Sequence, residues 1–172
     1  MKIVISGSGS CGKTAVINEL KNRGYKTISD TAREVLQQRK YHLPLRIESE
    51  FREKTIIERQ IKKESEIKSN EVVFLDYGLV DAKIYVKFLL NTSSIIIPEK
   101  LLKSYDQVFL LDRLPWIKDG IRVEANQEQA IKIHNMIEAE YKNLGYSVIK
   151  VPAMPVNQRV DFILNNFRLY YS

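Results

Sequence analysis

Short apolar runs alternate with longer stretches in which apolar residues recur every three or four positions. Lys2 to Ser6 opens the chain as a strand. A helix is predicted over about 13–23, stopped by Gly24, a residue type that readily takes the left-handed turn closing a helix. Tyr25 to Ser29 read as a second strand, and Asp30 precedes a helix through about Arg39. Residues 40–46, with Pro44, read as a loop. A long helix is predicted from Ile47 to about Ser69, with a narrow apolar stripe of Ile47, Phe51, Ile57 and Ile61 on an otherwise charged surface.

Glu71 to Asp76 is a continuous apolar run ending in an acid, as expected of a strand buried on both faces. A helix over about 79–90 follows, then a polar stretch from Asn91 to Ser94, then a short helix from Pro98, a favoured first-turn residue. Gln107 to Asp112 and Val148 to Val151 are the remaining strands. Between them lie a charged loop over about 113–125 and a helix capped by Asn126. That helix places Ala130, Ile133, Ile137, Tyr141 and Leu144 on one face. A last helix buries Val156, Val160, Ile163, Leu164 and Phe167. Strand and helix alternate throughout, so the expected class is α/β: five parallel strands with helices on both faces, in three layers.

At 172 residues the chain suits one domain over 1–172, with the charged helix (about 47–69) and the charged loop (about 113–125) as insertions. The composition, 44% hydrophobic and 28% charged, is ordinary for a globular protein. No apolar stretch approaches bilayer length, and the first residues do not read as a signal peptide, so a cytoplasmic protein without a transmembrane segment is expected. One cysteine allows no internal disulfide and agrees with a reducing compartment. The net charge of +6 suits an anionic partner, but Lys and Arg are spread along the chain without a block of like charge. His42 and His134 lie far apart beside one cysteine, which excludes the usual zinc spacings.

The most informative stretch follows the first strand: Gly7-Ser8-Gly9-Ser10-Cys11-Gly12-Lys13-Thr14. This is G-x-x-x-x-G-K-[ST], a loop whose backbone N–H groups cradle phosphate oxygens. Lys13 reaches the β- and γ-phosphates, Thr14 offers a hydroxyl to Mg²⁺, and the helix that begins here favours anions at its N-terminus. ATP or GTP with Mg²⁺ is therefore the expected ligand.

In an open parallel sheet, ligands bind beyond the carboxyl ends of the strands, and further candidates collect there. Asp76 ends an apolar strand, the position from which a carboxylate holds Mg²⁺. Asp112 ends a similar strand and competes for the role. Asp30 and Arg33 follow the second strand. Asp30 is suited to accept a proton from an acceptor hydroxyl, and Arg33 to hold the acceptor, although Asp is also a common helix cap. Arg113 and Arg122 flank the charged loop. Arg122 follows the flexible Asp119-Gly120 turn and is suited to close over phosphates as part of a lid. Cys11 is expected to pack beneath the phosphate loop.

The chain resembles the P-loop kinase-like proteins of the AAA_28 family, which include relatives of the NadR nicotinamide riboside kinase domain and of the Ttd14-type nucleotide-binding proteins. The resemblance covers nearly the whole chain. It rests on Gly7 to Thr14, on Asp30-Thr31-Ala32-Arg33-Glu34, on Phe74-Leu75-Asp76-Tyr77-Gly78 with Asp81, on Val108 to Asp112, on Asp119-Gly120-Ile121-Arg122, and on Leu144-Gly145-Tyr146 leading to Val151-Pro152. It implies a three-layer P-loop NTPase fold, nucleoside- or nucleotide-kinase-like with a short lid, and brings Asp81 in as a substrate residue. The chain departs from the pattern at Tyr77, where the family commonly has an arginine.

The expected function is a Mg·ATP-dependent phosphotransferase acting on a small hydroxylated metabolite such as a nucleoside or riboside. In that reading Lys13, Asp30 and Arg122 are the catalytic set, and Thr14 and Asp76 hold the metal. A nucleotide-dependent switch with slow hydrolysis is the alternative, and a nucleic-acid end kinase a third, motivated by the positive charge.

Overall fold

The computed structural model describes residues 1–37, 45–90, 95–117 and 124–169. Five strands, β1 (Lys2–Ser6), β2 (Lys26–Ile28), β3 (Val73–Asp76), β4 (Gln107–Leu111) and β5 (Val148–Val151), form one sheet in the order β2-β3-β1-β4-β5. All four pairings are parallel, with Val4 opposite Leu75 on one side and Val108 on the other. The fold is the expected α/β arrangement. The central strands are buried on both faces, which is why they read as unbroken apolar runs rather than as alternations.

Alternate residues of those strands feed two cores. Ile3, Ile5, Phe74, Phe109 and Leu111 pack under α1 (Lys13–Asn22) and α7 (Val156–Leu169). Val4, Val73, Leu75, Val108 and Leu110 pack on the other face under α4 (Leu79–Leu90) and α6 (Gln127–Asn143), with α3 (Leu45–Ser65) beyond α4. Two short helices, α2 (Thr31–Gln37) and α5 (Glu99–Leu102), complete the described elements. Asn126 caps α6 as expected, its Oδ1 accepting from the Gln129 N–H at 3.0 Å. Gly24 and Gly145, just beyond α1 and α6, both take the left-handed φ that closes a helix, at 87° and 92°. Among the described residues no helix is long and apolar enough to cross a membrane.

Three expectations are corrected. First, the inner stripe of α3 is not the apolar row read from the sequence. Ile57 is buried as expected, but Phe51 is 48% exposed and Ile61 only half-buried, and Ile56 is buried instead together with Glu53, Gln60 and Glu64. The side chain of Ile47 lies outside the described residues. Polar residues face inward because a hydrogen-bonded network receives them. Gln60 bonds the Thr31 hydroxyl (2.6 Å), Glu64 (2.9 Å) and the Tyr77 carbonyl (3.2 Å), and Glu64 accepts from Tyr105 (3.0 Å). Second, α3 runs from Leu45 to Ser65 rather than over 47–69. Third, Val156 is exposed, because it sits on the first turn of α7 before the helix meets the sheet. Most of the loop expected at 40–46, the polar stretch at 91–94 and the middle of the charged loop, 118–123, lie outside the described residues.

Candidate active site

The carboxyl ends of β1, β2 and β3 open into a cavity of about 260 Å³. One wall is the phosphate loop, Gly9 to Thr14. The other carries Asp30, Arg33, Leu36, Glu53, Ile56, Tyr77, Tyr85, Leu89 and Glu124. The loop follows β1 directly, and its shape demands its glycines. Gly7 has φ 138° and Gly12 φ 80°, and a Cβ on Gly7 would stand 3.0 Å from the Cys11 sulfur. Two non-glycine residues also take positive φ, Ser10 at 62° and Tyr77 at 89°. Both line or adjoin the cavity, and such backbone strain persists only where the surroundings enforce it.

Lys13 curls back over the loop, its Nζ donating to the carbonyls of Gly7 (2.6 Å) and Ser8 (2.9 Å). Burial opposes its charge, but the anionic surroundings, Asp76, Asp30 and Asp81 among them, outweigh that and hold its pKa above the ordinary lysine value. Thr14 Oγ1 donates to Asp76 Oδ2 at 2.9 Å. Asp76 is 1% exposed, and its other oxygen, Oδ1, has no hydrogen-bond partner among the described residues. Burial and the nearby Asp30 carboxylate push its pKa up to about 7, against the pull of Lys13. A buried carboxylate with one unspent oxygen, beside a loop hydroxyl, fits a hard divalent cation that takes its remaining ligands from phosphate and water. Among the described residues no cluster of three acids, histidines or cysteines offers a metal a cage of its own.

Asp30 serves two ends. Its Oδ1 caps α2 by accepting the Arg33 N–H at 3.0 Å, and the side chain also lines the cavity with Arg33. Neither Asp76 nor Asp112 lines the cavity itself, but Asp76 is the strand-end acid that meets the loop, through the Thr14 hydroxyl. Asp81, expected at the substrate site, is instead consumed inside the fold. It is fully buried and accepts from Ser6 Oγ (2.5 Å), Tyr141 OH (2.6 Å) and the Gly78 N–H (3.0 Å). Arg113 turns toward the Gln127 carbonyl and is not part of the cavity wall. Arg122 lies outside the described residues. Cys11 is buried beneath the loop, 3.7 Å from His134 Nδ1, and burial raises its thiol pKa, so it is not poised as a nucleophile.

Four residues that sequence reasoning passed over belong here. Glu124 is 4% exposed, and its Oε1 accepts from the Gly9 N–H (2.8 Å) and from Tyr85 OH (2.7 Å), so a carboxylate sits on an amide of the phosphate loop. Tyr85 and Glu53 reach the cavity from α4 and α3, whose charged or apolar patterns gave no sign of it. Arg159 of α7 holds the loop from behind. The only signal for Glu124 was its place two residues beyond Arg122 in the charged loop.

The model of a family described as an AAA domain matches residues 2–159. A sequence comparison with curated proteins gives no match. Among solved structures, a deoxyadenosine kinase from M. mycoides with bound dATP is similar over 98% of this chain and 100% of its own. Its identity is 18% and its TM-score 0.70. The same kinase with bound dCTP gives 19% and 0.70 over 98% and 99%. The NadR protein in complex with NR aligns over 87% of this chain and 43% of its own, at 18% identity and a TM-score of 0.64. At these identities the likeness is one of fold.

Proposed function

The chain belongs to this AAA-domain family, and from that premise we propose that it is a Mg·ATP-dependent phosphotransferase acting on a small hydroxylated metabolite such as a nucleoside or riboside. One observation carries this reading. The phosphate loop and the pair Asp30 and Arg33 line the same cavity, which continues over the apolar Leu36, Ile56 and Leu89 and the rings of Tyr77 and Tyr85. A hydrolase needs room only for water beside its nucleotide, whereas this wall offers polar groups and flat aromatic surface to a second molecule. The solved structures of similar fold are of a deoxyadenosine kinase with nucleotides and of NadR with NR, which supports the same class.

The amides of residues 9–14 and the Lys13 ammonium cradle the triphosphate. Thr14 and Asp76 would hold Mg²⁺, which when bound would supply charge neutralisation for the transferring phosphate. Asp30 accepts the proton of the acceptor hydroxyl as the hydroxyl oxygen bonds to the γ-phosphorus and the bond from that phosphorus to the β-phosphate oxygen breaks, releasing ADP, and Arg33 orients the acceptor. The apolar wall excludes water and so favours transfer over hydrolysis. Positioning and electrostatics of this kind suffice for phosphoryl transfer.

The test is ATP consumption with Mg²⁺ against a panel of nucleosides and ribosides, with phosphate traced to the product. Stimulation by one acceptor, which carries the new phosphate, is expected, and Lys13→Ala abolishes it without unfolding the protein. Slow hydrolysis indifferent to every acceptor would assign the site to a nucleotide switch instead.

A further inference from the structure

Arg159 is the largest fully buried side chain, at 1% exposure. Its guanidinium takes three backbone carbonyls from three segments: Nη1 donates to Cys11 O (2.5 Å), Nη2 to Asp112 O (2.9 Å) and Nε to Pro152 O (3.0 Å). Among the described residues no ion pair involves it. A buried cation whose hydrogen bonds all go to neutral carbonyls, with the Asp112 carboxylate near but not paired with it, is an expensive way to fasten a helix, and an apolar side chain of similar volume would pack α7 as well.

The position of the Cys11 carbonyl explains what the charge does. Cys11 C=O and Gly12 N–H belong to one planar trans peptide, so they point in opposite directions. Gly12 stands at φ 80° as the N-cap of α1, and Cys11, Gly12 and Lys13 line the cavity. A carbonyl held outward by Arg159 leaves the Gly12 N–H directed toward the anion site. A cation on the carbonyl oxygen also polarises that peptide and makes its N–H a stronger donor.

We propose that Arg159 is a positioning residue of the phosphate loop: by holding the Cys11 carbonyl it aims and strengthens the Gly12 amide, and thereby sets the loop's affinity for polyphosphate. The inference rests on the loop binding polyphosphate, and it holds whether the protein transfers phosphate or hydrolyses it. Asp112 and Pro152, held by the same guanidinium, tie the ends of β4 and β5 to that peptide.

The sequence makes a direct test possible. Cys11 is the one cysteine and is followed by glycine, so carbonyl-¹³C cysteine with ¹⁵N glycine doubly labels a single peptide, Cys11–Gly12. Its resonance is followed while inorganic tripolyphosphate and Mg²⁺ are added. In the unaltered protein the amide shifts on titration. Arg159→Gln is expected to move the carbonyl resonance upfield before any ligand is added. It is also expected to weaken tripolyphosphate binding by about ten- to a hundredfold. Arg159→Lys keeps the charge but loses the fork and falls between, about three- to tenfold weaker. A merely structural arginine would lower the melting temperature and leave the affinity of the folded fraction within twofold, which overturns the proposal. So does an amide in the unaltered protein that ignores tripolyphosphate. If the Gln variant does not fold, the Lys variant decides: unchanged affinity overturns the proposal. Failure to phosphorylate any acceptor, with these titrations intact, would count against the transferase reading alone.

Discussion

Thr14 Oγ1 donates to Asp76 Oδ2 at 2.9 Å, so the last residue of the phosphate loop touches the last residue of β3. The register of β1 against β3, with Ile5 opposite Asp76, brings the two together. The free oxygen of Asp76 leaves the pair open to the magnesium ion proposed above rather than closed on itself. Asp76→Asn therefore separates function from folding. It weakens Mg²⁺-dependent activity by at least the ten- to hundredfold typical of disturbed metal-site partners. It leaves the melting temperature at pH 8 unchanged or higher, because a carboxyl whose pKa is raised to about 7 is charged and destabilising there. Thr14→Ala should raise the Mg²⁺ concentration for half activity in the same direction. An Asp76→Asn protein with normal magnesium dependence would remove the metal assignment.

Asp30 both caps α2 and faces the cavity. Asn is as good a cap as Asp, so Asp30→Asn removes only the charge. The expected result is an unchanged melting temperature, nucleotide binding within a few-fold, and a kcat lower by about 10²- to 10⁴-fold, the range of general-base catalysis. Full turnover in this variant would leave Asp30 as a cap and nothing more.

The Gly9 amide cannot serve the Glu124 carboxylate and a phosphate oxygen at once, since two anions would stand within a hydrogen bond of one donor. If the proposed nucleotide takes this amide for a phosphate oxygen, it has to displace the internal acceptor. Glu124→Gln keeps an acceptor oxygen but removes the competing charge, so Mg·ATP is expected to bind about tenfold more tightly, as follows from losing one charge-assisted bond. Calorimetric titration reads this directly. Equal or weaker binding would mean that Glu124 does not compete with the nucleotide.

The sheet was legible because central parallel strands are apolar on both faces, and the phosphate loop because its glycines and lysine answer a chemical need at fixed spacing. Asp76 and Asp30 were legible for a related reason, since a strand end fixes where its next residue stands. Asp81 misled. The family resemblance brought it in as a substrate residue, but Ser6 and Tyr141, 75 and 60 residues away, turn it inward. The polar inner face of α3 was illegible because Gln60 and Glu64 read as solvated until Thr31, Tyr77 and Tyr105 supply their partners. Arg159 was hidden in the same way, as its three acceptors are backbone atoms that no side-chain pattern announces.

Tyr105 closes that inner network. Its hydroxyl accepts the Leu79 N–H at 2.6 Å and donates to Glu64 at 3.0 Å. Tyr105→Phe strands the buried Leu79 amide and takes one of its donors from the Glu64 carboxylate, which keeps Gln60 and Lys2, without opening a large cavity. A loss of about 1–3 kcal/mol in stability is expected, measured by urea unfolding, with Mg·ATP affinity preserved. No loss would mean that water replaces the hydroxyl.

His134 makes stability depend on pH. It is 8% exposed, its Nδ1 faces the Ser8 N–H at 3.5 Å, and burial, helped by Arg113 and Lys13, lowers its pKa from 6.5 to about 4. The unfolded chain therefore binds a proton between pH 6.5 and 4 that the folded chain refuses. By linkage, stability is complete above pH 6.5 and declines as the pH falls toward 4. The decline amounts to about 2 kcal/mol by pH 4.5. His134→Asn removes this component and leaves that of the carboxylates, so the difference between the two proteins' unfolding free energies should shrink steadily from pH 7 to pH 4.5. Parallel curves over that range would show that His134 is free to protonate in the folded state, and that the phosphate loop above it tolerates a cation.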